Sequence, residues 1–166
     1  MLVVTELTLA DYVEHLPTLP VLSVRVSAGK PVAVDTAPEH LPRLDFHDVV
    51  GAWHEDCYLL RVEGESMTGA GIQDGDVLVV DRRAVPASGT VVVACVDGGL
   101  TVKRFVQRRK GPGGRLRSML LAENPAYPSI DVTDDEDAFI WGVVTFSFHD
   151  HRYGRLGLPP HSGDGA

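Results

Sequence analysis

The chain has 166 residues, 44% of them hydrophobic, and a formal net charge of −8 at pH 7. This length predicts one globular domain with a buried core, flanked at most by arms or tails. The negative charge argues against a general nucleic-acid-binding protein, because neutralising phosphates requires an excess of Lys and Arg. No apolar run approaches the roughly 18 residues of a membrane span, and the N-terminus lacks an export signal, so we expect a cytoplasmic protein without a membrane anchor.

The N-terminal third of the chain shows few signals of regular structure. Residues 8–16 predict one helix, which Thr8 would cap and Pro17 would end. The region is too short for a helix-turn-helix module with its own core. Residues 28–45 contain three prolines and little hydrophobic periodicity, which is typical of an extended linker.

From about residue 48 the sequence changes to short runs typical of β-strands, separated by turn residues. These runs are CYLLRVEG, GDVLVVDR, GTVVVACVD, GGLTVKRFVQRR, RSMLLAEN, SIDVT and AFIWGVVTFSFH. The third and fourth runs meet at Asp97-Gly98-Gly99, which predicts a hairpin. Several short strands without a strong helix indicate a mainly β domain. The Gly- and Pro-rich segment 153–166 is expected to be a disordered tail.

The stretch GESMTGAGIQDGDVLVVDR, residues 64–82, places Ser66 between glycine-rich turns just before an apolar strand. A serine hydroxyl is a poor nucleophile until a base takes its proton, and none of the seven histidines lies in a recognisable triad pattern. A lysine whose pKa is lowered by burial is the alternative base. Lys103 fits, because strand alternation puts it on one face with Thr101 and Phe105. From the residues alone, a turn serine and a solvent-exposed strand lysine remain open explanations.

Four blocks in order closely resemble the LexA/UmuD family of self-cleaving serine peptidases. The blocks are GESMTGAGIQDGDVLVVDR, SGTVVVACVDGGLTVKRF, ENPAYPSI and WGVV, and the resemblance covers about residues 20–148 with the serine-to-lysine spacing preserved. Since no helix-turn-helix module is predicted before them, the UmuD branch is nearer than the repressors. The resemblance implies a compact, mainly β domain of several short twisted sheets, as in LexA and signal peptidases, with an extended N-terminal arm.

The resemblance also implies the roles of individual residues. Ser66 is expected to be the nucleophile and Lys103 the neutral general base, with the backbone amides of Glu65 and Ser66 as oxyanion donors. Met67 would either line the cleft or pack in the core. Together with the composition of the linker and the tail, which extends past what the relatives suggest, this gives the expected organisation: an arm removed by self-cleavage (1–28), an extended linker (29–47), a Ser–Lys peptidase domain (48–152) and the tail (153–166). No cofactor is implied.

A self-cleaving protein contains its own substrate, and VSAGKP at residues 26–31 resembles the scissile segment of the family, with Ala28–Gly29 as the bond. Small residues on both sides leave the attacked carbonyl uncrowded, and Pro31 favours an extended chain. The bond lies about 37 residues before Ser66 across a linker-like stretch, so the arm can reach the cleft. If Lys103 is the base, cleavage should accelerate as the pH rises through its pKa.

The family further implies a role in the SOS response. Cleavage would be stimulated by the RecA filament on single-stranded DNA, and the product would be an accessory subunit of an error-prone translesion DNA polymerase. A homodimer without direct sequence-specific DNA binding is expected. Two alternatives stay open: a catalytically silent dimeric binding module for the polymerase or RecA, and a signal-peptidase-like enzyme acting on other proteins. The second is disfavoured because no membrane anchor is predicted.

Two further segments carry weaker signals. KRFVQRRKGPGGRLR, residues 103–117, contains no acid and is either an exposed hairpin loop or a contact for DNA or an acidic partner. FHDVVGAWHEDC, residues 46–57, offers possible metal ligands, but their spacing matches no zinc pattern and no metal site is expected; the candidates are His47, Asp48, His54, Asp56 and Cys57. A Cys57–His54 thiol dyad is disfavoured, because both side chains would have to face one way on neighbouring strand positions. Cys57 and Cys95 are expected to be free thiols.

Overall fold

A computed structural model of the chain describes residues 7–8, 19–20, 28, 43–51, 54–109, 111 and 113–151. Two short helical segments occur there, α1 (Phe46–Val50) and a 3₁₀ turn (Thr68–Ala70). Neither is long enough to cross a membrane. The strands are β1 (Leu7–Thr8), β2 (Leu19–Pro20), β3 (Arg43–Leu44), β4 (Cys57–Arg61), β5 (Val77–Asp81), β6 (Val91–Val96), β7 (Gly99–Arg109), β8 (Leu116–Leu121), β9 (Ile130–Asp131) and β10 (Phe139–Phe148).

Eight of these strands form one antiparallel sheet in the order β1-β4-β5-β10-β6-β7-β8-β9, and β2 pairs with β3 separately. The predicted mainly β domain is confirmed, with a strand in every one of the predicted runs from CYLLRVEG onward. The strands are joined in one long sheet and a short pair, where the sequence suggested several short sheets. Asp97 and Gly98 form the two-residue turn of the β6–β7 hairpin, both with positive φ, and Val96 pairs with Gly99.

The N-terminal region differs from the sequence expectation in two places. Thr8 lies in β1, paired with Tyr58 of β4, instead of capping a helix; the rest of that predicted helix, 9–16, lies outside the described residues. The range expected to be an extended linker, 29–47, contains β3 and ends inside α1. Val50, the last residue of α1, is buried against Cys57 and Val79 and so packs the short helix on the sheet. Most of the predicted arm and linker, and the tail from residue 152, lie outside the described residues.

Buried side chains cover both faces of the central sheet. On β6, Val93 belongs to the core cluster that also contains Leu60 and Val102. Val92 and Ala94 lie on the opposite face, in a second cluster with Phe105. This alternation follows the two-residue period of a strand. Because both faces are buried, β5 and β6 have almost continuous apolar sequences. The first of these cores lies beneath the loop that carries Ser66.

The WGVV block has a packing role at the centre of the sheet. Strand β10 runs between β5 and β6, with register shifts between Ile140 and Gly142 and between Val144 and Phe146. A Cβ at Gly142 would lie 2.6 Å from Val80 Cγ1. Only glycine therefore lets the two strands pass this closely at the irregularity.

Candidate active site

Ser66 lies in the loop between β4 and β5, directly before the 3₁₀ turn. Backbone hydrogen bonds close the base of the loop: Val62 N–H donates to Asp76 O at 2.8 Å, and Gly75 N–H donates to Val62 O at 2.9 Å. Inside the loop, Gly64 N–H donates to Asp74 Oδ1 at 2.7 Å. These bonds fix the backbone on both sides of Ser66.

Two buried side chains anchor the same loop in the core. Met67 is 2% exposed and Ile72 4% exposed, and both pack in the cluster that includes Leu60. The Met67 carbonyl also accepts hydrogen bonds from the N–H groups of Ala70 and Ile72, at 2.9 and 3.3 Å. Met67 lies on the wall of the cleft as well. Met67 therefore has both of the roles considered for it, since it packs in the core and lines the cleft.

Lys103 lies in the middle of β7 and is buried, with 6% of its surface exposed. Its side chain is on the same face as Thr101, as strand alternation predicts. Burial lowers the pKa of Lys103 below the usual value of a lysine, because removing an ammonium ion from water disfavours the charged form. A lysine in this setting can exist as the neutral amine, which is the form that accepts a proton.

The Lys103 amine contacts three oxygen atoms: Ser66 Oγ at 2.9 Å, Thr101 Oγ1 at 3.0 Å and Val102 O at 2.9 Å. A neutral amine has two N–H donors and one lone pair. The Val102 carbonyl can only accept, and the Thr101 hydroxyl can accept the second N–H. In that arrangement the lone pair faces Ser66 and can accept its hydroxyl proton. The two oxygens from β7 thus orient the base toward the serine.

Ser66 and Lys103 open onto a cleft of about 480 Å³, whose walls also include Leu100, Tyr127, Pro128 and Ile130. One wall comes from the β6–β7 hairpin and another from the segment between β8 and β9. Glu65 and Ser66, whose amides are the predicted oxyanion donors, lie on the same cleft. The mostly apolar walls suit an extended peptide segment with small or aliphatic side chains.

The segment between β8 and β9 holds the Ser66 loop from the outside. Gly69 N–H donates to Glu123 O at 2.7 Å, Glu123 N–H donates to Ser66 O at 2.9 Å, and Asn124 Nδ2 donates to Glu65 O at 2.8 Å. A Cβ at Gly69 would lie 2.3 Å from Glu123 O, so the close contact requires glycine. In the sequence, ENPAYPSI stands out only as a block of the family resemblance. Its Asn-Pro pair predicts a turn, but nothing local predicts the contact of this turn with the Ser66 loop.

The residues of the predicted cleavage site are only partly described. Ala28 is exposed, and Gly29 lies outside the described residues. The Ala28–Gly29 bond therefore remains a prediction, whereas Ser66 and Lys103 are brought together.

A second cluster lies where β4 begins. The Cys57 Sγ is 3.6 and 3.8 Å from the two ring nitrogens of His54, whose Nε2 is 3.4 Å from Asp81 Oδ1. The assumption that His54 and Cys57 occupy neighbouring strand positions is wrong, because the chain turns between them before β4 starts. Burial, and secondly the charge of Asp81, raise the pKa of the Cys57 thiol. Sγ is nearly equidistant from the two ring nitrogens, whereas a sulfur that shared a metal ion with one of them would lie much farther from the other.

Three of the five arginines in the stretch 103–117 form ion pairs with acidic residues of neighbouring segments. Arg104 pairs with Glu123, and Arg115 pairs with Asp134. Arg117 lies 3.6 Å from Asp131. Acidic groups on neighbouring segments therefore offset part of the positive charge of this hairpin, which favours an ordinary exposed loop over a basic binding surface.

A serine hydroxyl hydrogen-bonded to a buried lysine amine is an arrangement in which the lysine can accept the hydroxyl proton. The chain belongs to the Peptidase S24-like family, which it matches over residues 20–145.

Among curated proteins, the chain is 36% identical over 135 residues to protein MucA of Salmonella typhimurium, a match that covers 81% of this chain and 86% of MucA. It is 42% identical over 128 residues to LexA repressor 2 of Pseudomonas syringae pv. tomato and 43% identical over 122 residues to the LexA repressor of Ralstonia nicotianae. These two matches cover 57% and 52% of the repressors, so the chain spans little more than half of their length.

Proposed function

We propose that this chain is a self-cleaving serine peptidase of the UmuD type, with Ser66 as nucleophile, Lys103 as general base and the Ala28–Gly29 bond as substrate. The observation that carries the proposal is the 2.9 Å contact between Lys103 Nζ and Ser66 Oγ. Burial lowers the lysine pKa, which at a given pH increases the neutral fraction of the amine, the form that can act as a base.

In the first half of the reaction, neutral Lys103 takes the hydroxyl proton as Ser66 Oγ attacks the carbonyl carbon of Ala28. The N–H groups of Glu65 and Ser66 stabilise the negative charge that develops on the carbonyl oxygen. When the tetrahedral intermediate collapses, the C–N bond breaks and the ammonium group of Lys103 gives its proton to the departing amine of Gly29. An ester between Ser66 and Ala28 remains.

In the second half, water attacks the ester carbonyl while Lys103 takes a proton from that water. The bond between Ser66 Oγ and the carbonyl carbon of Ala28 breaks, and Lys103 returns the proton to Ser66. The released fragment ends at the Ala28 carboxylate. The net change is the addition of one water across one peptide bond. Thr101 Oγ1 and Val102 O keep the amine oriented through both halves, because they accept hydrogen bonds from its other two N–H groups.

The biological context is also proposed. The similarity to MucA over most of both chains, together with the family resemblance, supports a role in the SOS response. We propose that a RecA filament on single-stranded DNA stimulates cleavage in the cytoplasm, and that residues 29–166 act as a homodimeric accessory subunit of a translesion DNA polymerase. Removal of arm 1–28 would be the activating step.

The test is a self-cleavage assay followed by intact-mass measurement. The purified chain, Ser66→Ala and Lys103→Ala are incubated from neutral to alkaline pH, with and without a RecA filament on single-stranded DNA. We expect fragments 1–28 and 29–166, whose masses sum to the intact chain plus one water, in the wild type only. An intact wild-type chain under every condition would refute the peptidase and leave the catalytically silent binding module as the explanation.

A further inference from the structure

Asn124 makes hydrogen bonds at both ends of its side-chain amide. Its Oδ1 accepts from Ala126 N–H at 3.0 Å, which closes a turn over Pro125, and its Nδ2 donates to Glu65 O at 2.8 Å. Its own carbonyl accepts from Tyr127 N–H at 3.0 Å. The turn fixes the side chain, so that Nδ2 is held toward the Ser66 loop before any substrate arrives.

The carbonyl that Asn124 holds belongs to the same peptide unit as the Ser66 N–H. A trans peptide is planar, and its C=O and N–H point in opposite directions. With the Glu65 carbonyl fixed toward Asn124, the Ser66 N–H must point away from it. The next peptide is fixed in the same way, because Glu123 N–H donates to Ser66 O at 2.9 Å.

Few other contacts restrain the peptide between Glu65 and Ser66. Glu65 is exposed and follows Gly64, whose φ of 95° is open to glycine and strained for other residues. Besides Asn124, the Glu65 carbonyl accepts only a longer bond of 3.4 Å from Thr68 N–H among the described residues. Rotation of this peptide would replace an N–H donor with a carbonyl oxygen, which repels a developing oxyanion.

We propose that Asn124 is a positioning residue that orients the Ser66 N–H for oxyanion stabilisation. The inference rests on the proposed function, because it assigns a cause to one of its two oxyanion donors. Asn124 does not touch the reacting atoms; it acts through the Glu65 carbonyl. Its loss should lower the rate at which the bond is broken and leave the ionisation of Lys103 unchanged, since none of its hydrogen bonds involves the amine.

The experiment measures self-cleavage rate against pH for the full chain and three variants. Asn124→Asp keeps the acceptor for Ala126 N–H and loses the donor to Glu65, whereas Asn124→Ala loses both. The control Gln107→Ala removes a side-chain amide that donates to Ser118 Oγ at 3.2 Å on the β7–β8 hairpin, outside the cleft. Thermal unfolding of each variant is measured in parallel.

We expect both Asn124 variants to cleave on the order of 100-fold more slowly at the alkaline plateau, the typical effect of losing one oxyanion donor. In Asn124→Ala, which introduces no charge, the pH midpoint and unfolding temperature should match those of Gln107→Ala, which cleaves at the wild-type rate. A wild-type plateau in Asn124→Asp would overturn the proposal, and so would a shifted midpoint in Asn124→Ala or a slowing of that variant matched by a lower unfolding temperature. If the wild-type chain itself stays intact, the proposed function has failed and not only the role of Asn124.

Discussion

The described residues contain two places where a hydroxyl or thiol lies beside a nitrogen base, and the two differ in exposure and in the effect of burial on the pKa. Ser66 is half-buried on the wall of a cleft, and its partner Lys103 has a lowered pKa because of burial. Cys57 is 2% exposed within β4, beside His54 and Asp81, and burial raises the pKa of its thiol. Burial thus favours the neutral amine in the first pair and the protonated thiol in the second.

The comparison shows that proximity alone does not define an active site. A neutral lysine is the active form of that base, so a desolvated setting promotes its function. A thiol must ionise to react, so the same kind of setting suppresses Cys57. Glu65 and Ser66 also lie on the cleft wall, whereas the Cys57 N–H donates to His54 O at 3.2 Å where β4 begins.

The largest expected effect comes from replacing Lys103 with a cationic side chain that cannot become neutral. Lys103→Arg places a guanidinium group at the position of the amine, and a guanidinium group cannot lose its proton in a protein. We expect self-cleavage to fall on the order of 1,000-fold at every pH, measured by intact mass. Residual cleavage that still rises with pH would show that Lys103 is not the titrating base. His54→Gln is the matched change in the second pair and should cleave at the wild-type rate.

The contact between Gly69 and Glu123 gives the next largest effect. In Gly69→Ala the new Cβ would lie 2.3 Å from the Glu123 carbonyl, so the loop or the neighbouring segment must shift. A displacement of about 1 Å at the nucleophile costs roughly 100-fold in rate, and we expect that loss in the cleavage assay. Gly99→Ala, whose Cβ would make an ordinary 3.7 Å contact with Val96 O, controls for stability and should keep the wild-type unfolding temperature. Wild-type cleavage by Gly69→Ala would show that the segment tolerates the shift.

The two pairs also differ in how well the sequence predicts them. The position of Lys103 beside Thr101 follows from strand alternation, because the two-residue period of β7 is regular there. The family resemblance predicts that Ser66 and Lys103 meet although they are 37 residues apart. Strand periodicity alone cannot predict a contact at that separation. The strands from β4 to β10 were predictable because each lies in a run typical of β-strands that is bounded by turn residues.

Contacts that depend on tertiary structure were not predictable. His54 approaches Cys57 because of a turn whose direction the residue types do not specify. Asn124 reaches Glu65 across a separation of 59 residues, and no local pattern encodes such a hydrogen bond. Thr8 forms a strand because β4 offers it an edge, which outweighs its preference as a helix cap. These contacts arise from the arrangement of whole segments, and only the strand pattern within each segment is visible in the sequence.

The burial of Lys103 also predicts a smaller effect, on stability. Because its folded-state pKa lies below its unfolded value, the unfolded chain binds more protons between the two values, and stability rises with pH across that interval. Lys103→Met removes the charge and retains most of the volume. We compare the two side chains in a Ser66→Ala background, which prevents cleavage during the measurement.

The free energy of unfolding of the Met variant minus that of the Lys protein should be most positive below the folded-state pKa of Lys103. It should decrease as the pH rises toward the unfolded value. Chemical denaturation across that range measures the difference. A difference that stays constant with pH would mean that Lys103 has the same pKa in both states, contrary to the effect of its burial.

The smallest effect is expected at Cys57, where a substitution tests whether the Cys57–His54 pair has any role in self-cleavage. Cys57→Ala removes one sulfur from a buried cluster with Val50 and Val79, so the free energy of unfolding should fall by about 1 kcal/mol while self-cleavage continues at the wild-type rate. In the native wild-type chain, iodoacetamide should modify the half-buried Cys95 faster than Cys57. Mass spectrometry of peptides after brief labelling distinguishes the two sites. Faster labelling of Cys57, or slower self-cleavage by Cys57→Ala, would mean that the second pair is active and that burial does not separate the two.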